Sequence, residues 1–274
     1  MNLSLKKLAS GLSHQFKKSK SKSRFTTITW IQEKKLKHQK EGVIKSFALD
    51  ANHSIKYKRP YEFLHTYKEL FEEEIYQFTS DTTSPLIVDC GANIGMSVIY
   101  FKILFPDSQV IAFEPDDENF KMLELNCNSN GFLGIDCRKS AVWIHNEWLS
   151  FSAEGTQGST IVSSDSTKNV VRVKSERLAD IIKENKVEFL KIDIEGAELE
   201  VIRDCCPFFH NVKNLFVEYH GKANETEKLT EILSLLQPSF KTYIKMAADN
   251  LLHPYVQKST GHTFDVQLNI FCYR

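Results

Sequence analysis

The sequence lacks the features that mark secreted, membrane-spanning and zinc-binding proteins. Its six cysteines form no C-x-x-C pair and have no histidine at a zinc-ligand spacing, which argues against a zinc site and against a disulfide framework. No apolar run approaches the roughly 20 residues that a membrane-spanning helix requires. The basic N-terminus is not followed by the apolar segment of a signal peptide. We therefore expect a soluble, cytoplasmic protein with free thiols.

The formal net charge is zero, but the charged residues are unevenly distributed along the chain. Residues 1–40 contain eleven of the 35 lysines and arginines and one of the 35 acidic residues, so the remainder holds 24 basic and 34 acidic residues. This predicts a basic arm over 1–40 ahead of a mildly acidic body. Attraction of the arm to a membrane surface, a phosphorylated glycan or nucleic acid is one interpretation. A solvated tail is the other, and we favour it because most charge runs are solvated.

Two regions follow the arm. Over residues 41–84, a strand-like stretch and a helical apolar pattern predict a small N-terminal cap. Over residues 85–274, strands alternate with helices, which predicts an α/β domain with a doubly wound, mostly parallel sheet. Within this domain we predict a helix over Ser175–Asn185. A Gly/Ser/Thr-rich segment, Gly155–Thr160, is equally a lip over the substrate or a plain hairpin loop.

A glycine-bearing turn after the first strand of this domain is the strongest motif. It reads DCGANIG over residues 89–95, and the next strand ends in FEP over residues 113–115. Glycines let a backbone turn sharply and approach a ligand closely. Ligands of open α/β sheets bind at this edge, where the strand order reverses. A carboxylate at the end of the second strand can accept two hydrogen bonds from ribose hydroxyls.

The spacing within the turn distinguishes between two cofactors. A nicotinamide dehydrogenase would carry G-x-G-x-x-G, whereas this turn reads D-x-G-x-N-x-G, with an acid at the end of the first strand. Together with the FEP segment, this pattern points to S-adenosylmethionine. The predicted cofactor-binding residues are Asp89, Gly91, Asn93, Gly95, Glu114 and Pro115.

Several segments together resemble the FkbM-type methyltransferases. Besides the turn and the FEP segment, they are L-x-x-N over residues 123–126, FLKIDIEGAE over 189–198 and FVEYH over 216–220. They occur in the order that the family shows, and the likeness covers roughly residues 45–220. The chain departs from the family at residues 205–207, which read CCP where a glycine is common.

The resemblance has implications for the fold, the activity and the site. It implies a seven-stranded sheet whose last strand is antiparallel. It also implies O-methyl transfer, commonly to a sugar hydroxyl of a glycan or to a natural product. By this likeness, Asp89, Gly91 and Gly95 contact the methionine part of S-adenosylmethionine, and Glu114 contacts its ribose.

Polar side chains at the ends of the fourth and fifth strands are the candidates for chemistry. Asp193 is interpreted as a substrate or metal carboxylate or a base, with helix capping as the structural alternative. Strand alternation places Glu218 and His220 on one face, so we predict His220 as general base and Glu218 as its orienting carboxylate. A histidine whose hydrogen bonds are satisfied at a strand end is the structural alternative. For Glu195 and Glu198, a functional role and a favourable position at a helix start are equally open. A divalent-metal site formed by Asp193, Glu218 and His220 is a further alternative, but no fixed spacing supports it.

Two other functions compete with this hypothesis. A nucleic-acid methyltransferase would suit the basic arm, but methylation of base amino groups typically uses Asn/Asp-Pro-Pro-aromatic where this sequence has DIEG over residues 193–196. The acidic body would also repel a phosphate backbone. A non-catalytic cofactor-binding scaffold is the second, and the intact polar set argues against it. We therefore expect a small-molecule or glycan acceptor, with the oligomeric state and the need for a divalent metal left open.

Overall fold

The computed structural model describes residues 25–152, 170–248, 253, 255–257 and 263–274. Residues 1–24 of the predicted basic arm and the predicted lip at Gly155–Thr160 lie outside the described residues. Among the residues that are described, no helix combines the length and the apolar character needed to cross a membrane.

The elements alternate along the chain as the sequence predicts. In order they are α1 (Trp30–Lys37), β1 (Lys45–Ala48), β2 (Ser54–Tyr57), α2 (Pro60–Tyr67, continued by a π-helical turn over Lys68–Glu72), β3 (Leu86–Cys90), α3 (Met96–Leu104), β4 (Gln109–Phe113), α4 (Asp117–Ser129), β5 (Ile135–Arg138), β6 (Ala141–Trp143), β7 (Trp148–Ser152), β8 (Val170–Arg177), α5 (Leu178–Glu184), β9 (Val187–Ile192), α6 (Glu198–Cys205, followed by a 3₁₀ turn over Cys206–Asn211), β10 (Val212–Gly221), α7 (Thr226–Leu236), β11 (Lys241–Ala248) and β12 (Val266–Tyr273).

Seven of these strands form one central sheet in the order β11-β12-β10-β9-β3-β4-β5. β12 runs antiparallel to both of its neighbours, and the other four pairings are parallel. The predicted mostly parallel sheet with an antiparallel last strand is therefore confirmed. The chain proceeds from β3 towards β5 on one side and from β9 towards β11 on the other, so the strand order reverses between β3 and β9. The C-terminal ends of these two strands border the crevice in which such sheets bind ligands.

Helices cover both faces of the sheet, which confirms the doubly wound architecture. On one face, Phe101 of α3 and Leu123 of α4 are buried in a core that also contains the cap. On the other face, Ile182 of α5, Ile202 of α6 and Ile232 of α7 are buried in a second core. Strands buried on both faces need nearly continuous apolar sequence, and β3 and β9 meet this requirement with LIVDC and VEFLKI. The charged residues within them therefore require partners.

The cap packs over the face that carries α3 and α4. Tyr57 of β2 stacks on Phe63 of α2, with ring centroids 4.1 Å apart. The side chain of Asn126 accepts a hydrogen bond from the Lys56 amide (2.7 Å) and donates to the carbonyls of Lys56 (2.9 Å) and Ile94 (2.7 Å). One buried amide thus joins β2, α4 and the glycine turn. Residues 25–40, which the sequence placed in the basic arm, add further buried side chains to the same core, namely Phe25, Ile28 and Leu36.

A second, three-stranded sheet in the order β6-β8-β7 lies between the two halves of the central sheet in the sequence. Here the predicted helix over Ser175–Asn185 is wrong at its start, because β8 continues through Arg177 and the helix spans only Leu178–Glu184. Ser175 is paired with Ala141, and its hydroxyl donates to backbone carbonyls of the preceding turn. These strand contacts outweigh the local helical pattern.

Candidate active site

The turn after β3 contains three residues in the left-handed region of backbone space. They are Gly91 (φ 86°), Asn93 (φ 50°) and Gly95 (φ 85°). Glycine adopts this conformation freely, and asparagine tolerates it better than most residues do. The amides of Gly91 and Ala92 both donate to the carbonyl of Phe113, at 3.0 and 2.8 Å. The D-x-G-x-N-x-G spacing therefore encodes a turn that is fixed against the end of β4.

Gly91 lies where the ends of β3 and β9 contact each other. The Asp193 amide donates to the carbonyl of Cys90 at 3.1 Å, which brings the end of β9 against the turn. A Cβ atom on Gly91 would lie 1.9 Å from the carbonyl oxygen of Asp193, so only glycine fits. A Cβ on Gly95 would instead lie 2.7 Å from Cδ1 of Leu123. The second glycine therefore permits the close packing of α4 against the turn, in addition to the left-handed conformation that it adopts.

Glu114, at the end of β4, is buried beside this turn, with 6% of its surface exposed. Its two carboxylate oxygens accept hydrogen bonds from the amides of Asn93 (2.8 Å) and Asp116 (2.9 Å). Burial raises its pKa to about 7, although these two hydrogen bonds act in the opposite direction. Pro115 follows it and is half-buried. The turn and the Glu114 carboxylate thus form one rigid unit.

Lys191 of β9 is a site residue that our reading of the sequence missed. Its ammonium group is buried, 3.4 Å from Oδ1 of Asp89 and 3.0 Å from Oδ2 of Asp193, and it donates to the Gly91 carbonyl at 2.7 Å. Burial disfavours its charge, but the two acids outweigh burial and hold its pKa well above the usual value. The other oxygen of Asp89 accepts a hydrogen bond from Ser97 at 2.5 Å. The sequence signal that could have identified this residue is a single lysine in an apolar strand, two positions before an acid.

His220 lies in a group of carboxylates at the ends of β9 and β10. Its Nδ1 atom is 3.1 Å from Oε1 of Glu198, and both side chains are almost fully buried. Its Nε2 atom is 3.8 Å from Glu195 and 3.7 Å from Glu218. The Glu198 carboxylate also accepts a hydrogen bond from the Gly196 amide at 3.0 Å. Glu198 therefore does both things: it accepts a hydrogen bond at the start of α6 and it contacts the histidine.

The charges in this group alter the protonation of its members. Burial lowers the pKa of His220, but Glu198 and the nearby acids outweigh it and raise the pKa to about 10. Burial, followed by the charge of Asp193, raises the pKa of Glu218 to about 8. The sequence led us to expect a histidine near its ordinary pKa of about 6.5 and available as a base. The carboxylates around the imidazole favour its protonated form, and its role as a general base stays a prediction.

A cavity of about 1130 Å³ opens between this edge of the sheet and the cap. The sequence-predicted residues on its wall are Gly91, Asn93, Asp193, Glu218 and His220. The remaining four predicted residues, Asp89, Gly95, Glu114 and Pro115, are not among its lining residues. Wall residues that the sequence did not single out include Tyr76, Lys191 and, from α2, Tyr61, His65 and Glu69. The structure therefore places the predicted catalytic set around one cavity that the cap covers.

Three residues of this wall could hold a metal ion. Asp193, Glu195 and His220 each offer one ligand atom, and these atoms all lie within 4.8 Å of one another. The metal-site alternative drawn from the sequence contained Glu218 in place of Glu195. The difference arises because Glu195 has a left-handed backbone conformation (φ 57°) and is followed by Gly196 (φ 101°). Sequence spacing does not reveal a turn of this kind.

Comparison with known proteins gives matches to methyltransferases. Residues 89–244 match the model of the methyltransferase FkbM domain, which confirms the resemblance seen in the motifs. Methyltransferase 1 of Beauveria bassiana is 29% identical over 166 residues, covering 52% of this chain and 66% of that protein. The hexuronic acid methyltransferase AglP of Haloferax volcanii is 27% identical over 150 residues, covering 53% of this chain and 60% of that protein. The chain thus spans just under two thirds of the length of these relatives.

Solved structures of methyltransferases are also similar to the chain. The methyltransferase FkbM of Methylobacillus flagellatus is 19% identical, with a TM-score of 0.48, and the alignment covers 72% of this chain and 45% of that one. TYW2 of M. jannaschii, solved in complex with AdoMet, is 10% identical, with a TM-score of 0.46, and the alignment covers 86% of this chain and 87% of that one.

Proposed function

The chain belongs to the FkbM methyltransferase family, and we propose that it transfers a methyl group from S-adenosylmethionine to a hydroxyl oxygen of a sugar, a glycan or a natural product. The observation that carries the proposal is the pairing of the left-handed turn over residues 91–95 with the buried carboxylate of Glu114 at the switch point of the sheet. A ligand backbone can approach this turn closely because Gly91 has no side chain. A carboxylate beside it suits ribose hydroxyls.

The cofactor would be held by the residues of this unit. Gly91 and Asn93 would contact its methionine part from the cavity wall, and Asp89 and Gly95 would support the turn from behind. Glu114, which lies just behind this wall, would accept hydrogen bonds from the ribose through the lone pairs that the Asn93 and Asp116 amides leave free. When bound, S-adenosylmethionine supplies a methyl group on a positively charged sulfur. Lys191 holds Asp89 and Asp193 in place, so the acids at the turn are oriented before a ligand arrives.

The acceptor would lie beneath the cap, against the ends of β9 and β10. Methyl transfer to oxygen needs the acceptor aligned with the methyl group and its proton removed during attack. Asp193 and Glu218 face the cavity and can accept hydrogen bonds from vicinal hydroxyls. Glu218, in the ionised form that dominates above its pKa of about 8, is our candidate for the group that receives the proton. His220, oriented by Glu198, would hold the acceptor oxygen. A sugar suits this wall, and the name of the Haloferax volcanii relative supports that class.

Calorimetric titration with S-adenosylhomocysteine tests the cofactor pocket. We expect micromolar binding by the wild-type chain and at least about tenfold weaker binding by Glu114→Ala, because hydrogen bonds to a charged group contribute about 1.5–3 kcal/mol. Asp117→Ala is the matched control, since Asp117 lies three residues further on with its side chain 52% exposed and should bind as the wild type does. Binding of NADH in its place, or of neither compound, would contradict the proposal.

Cofactor binding should also depend on pH through Glu114. Its pKa of about 7 reflects burial and the charge of Asp116, opposed by hydrogen bonds and by Lys191. The ionised form is the acceptor, so the dissociation constant of S-adenosylhomocysteine should fall by about tenfold between pH 6 and pH 8 as that form becomes dominant. Calorimetry at several pH values measures this change. Glu114→Gln should bind more weakly at all of them, and a pH dependence that persists in this variant would assign the titration to another group.

The same raised pKa has an opposite consequence for stability without cofactor. The folded carboxyl keeps its proton up to about pH 7, whereas the unfolded carboxyl has the ordinary pKa of 4.5 and releases its proton first. Between these two values the unfolded state binds fewer protons than the folded state, so this group lowers the free energy of unfolding as the pH rises. Binding of the cofactor restores that loss because the ionised carboxylate then gains partners.

A further inference from the structure

We propose that Asp193, Glu195 and His220 form a binding site for a divalent transition-metal ion, of which Mn²⁺ is the representative. We further propose that the bound ion contacts the hydroxyl oxygens of the acceptor beside Glu218. This second step rests on the proposed function. The site lies at the cavity wall, at the ends of β9 and β10. Its three ligand side chains differ from the groups to which the cofactor is assigned, although the backbone of Asp193 contacts the turn.

The spacing of the three ligand atoms suits one ion. Nitrogen and oxygen ligands lie about 2.0–2.2 Å from a divalent transition metal, so two ligands of one ion are separated by up to about 4.4 Å. The ligand atoms of Asp193, Glu195 and His220 all lie within 4.8 Å of one another. Three equally spaced ligands of one ion lie at most about 3.8 Å from one another, so binding would draw the three side chains together by up to about 1 Å. The Glu195 side chain, 35% exposed on a loop, has room to move.

The orientation of His220 is a second, independent observation that points to a ligand. Its side chain is 2% exposed, and Nδ1 is directed at Oε1 of Glu198 at 3.1 Å. Its Nε2 atom faces the cluster, where the Glu218 and Glu195 carboxylates lie 3.7 and 3.8 Å away, within ion-pair range but beyond hydrogen-bond distance among the described residues. A metal ion bound at Nε2 would displace the proton that these acids otherwise favour there. Histidines that bind metals almost always donate their other ring N–H to a carboxylate in this way.

The chemistry of the donors selects among cations. Mg²⁺ and Ca²⁺ prefer ligand sets made of oxygen, whereas an imidazole with two carboxylates suits a first-row transition ion. Three protein ligands leave further coordination positions, and here those positions face the cavity. Two neighbouring hydroxyls of a sugar could occupy them, and coordination would make one hydroxyl a better proton donor towards Glu218. The ion therefore selects acceptors that carry vicinal hydroxyl groups.

Binding of Mn²⁺ to the full-length, chelator-treated protein tests the site without any turnover. We expect saturable 1:1 binding in the micromolar range, measured from the loss of the electron paramagnetic resonance signal of free Mn²⁺. Glu195→Gln should weaken this binding at least about tenfold, while excess Mg²⁺ should compete only weakly. Glu62→Gln is the matched control, because Glu62 lies on the same cavity wall but pairs with Arg59 of the cap. His220→Gln provides a second test if it folds.

Titration of the same samples with S-adenosylhomocysteine separates this proposal from the proposed function. Glu195→Gln should bind S-adenosylhomocysteine as the wild type does, which also shows that the variant is folded. Mn²⁺ binding that is absent in the wild type, or equal in Glu195→Gln and Glu62→Gln, would overturn the metal site while leaving the cofactor pocket standing. Failure to bind S-adenosylhomocysteine beside normal Mn²⁺ binding would overturn the proposed function and leave the metal site standing.

Discussion

Gly91→Ala should abolish measurable binding of S-adenosylhomocysteine and lower the free energy of unfolding by about 3 kcal/mol or more. The new Cβ atom would lie 1.9 Å from the carbonyl oxygen of Asp193, which belongs to the backbone and has no rotamer into which it can move. Either the turn or the end of β9 must shift, and both carry site residues. Urea denaturation measures the loss of stability, and calorimetry measures the loss of binding.

Gly131→Ala is the matched control for this substitution. Gly131 also has a positive φ, 67°, but no atom lies within 4 Å of the position that its Cβ would occupy. Only the left-handed conformation is penalised there, which costs about 1–2 kcal/mol and leaves the cofactor turn untouched. If the two variants lost the same amount of stability and both retained cofactor binding, close approach at Gly91 would not be the reason for its glycine.

Lys191→Met should destabilise the protein by about 3–5 kcal/mol, since it leaves the buried carboxylate of Asp89 and the nearby Asp193 without their cation. Asp89 has no exposed surface, so solvent cannot replace the lost partner. Lys213→Met is the control, because Lys213 pairs with Asp81 and Glu188 at the surface, where a change of no more than about 1 kcal/mol is expected. Chemical denaturation of both variants provides the comparison.

A second substitution in the Lys191→Met background identifies the cause of the loss. Replacing Asp89 with asparagine removes one of the two uncompensated charges, so the double variant Lys191→Met/Asp89→Asn should recover part of the lost stability. Additive effects of the two substitutions would mean that the lysine stabilises the fold by packing its stem and not through its charge. If stability recovers but cofactor binding does not, the ion pair between Lys191 and Asp89 serves to orient the turn.

The parts of the molecule that were predicted from sequence are those whose signals are local. The turn needs left-handed residues at three fixed positions, and these appear in the sequence as Gly91, Asn93 and Gly95. Strand alternation places Glu218 and His220 on one face, and their side chains do approach each other to 3.7 Å. The order of strands and helices follows from apolar periodicity in the same way. Each of these inferences uses only neighbouring residues.

The features that the sequence did not reveal depend on contacts between distant segments. Lys191 joins acids from two strands, and its sequence context shows only a lysine in an apolar run. The participation of Glu195 depends on backbone dihedral angles at Glu195 and Gly196, which its spacing from His220 does not encode. The end of β8 at Arg177 is set by pairing with β6, 34 positions earlier in the chain. Coverage of the cavity by α2 likewise depends on how the cap docks.

The side-chain amide of Asn126 connects the cap to the turn over residues 91–95. Its three hydrogen bonds join the Lys56 backbone in the cap to the Ile94 carbonyl in the turn, across 32 and 70 positions of sequence. Separation of the cap from the sheet at this point would break hydrogen bonds to both the cap and the turn. Amide protons of β2 and of the turn should accordingly exchange with solvent together. A ligand bound against the cap should slow exchange in the turn, and a ligand bound at the turn should slow exchange in the cap.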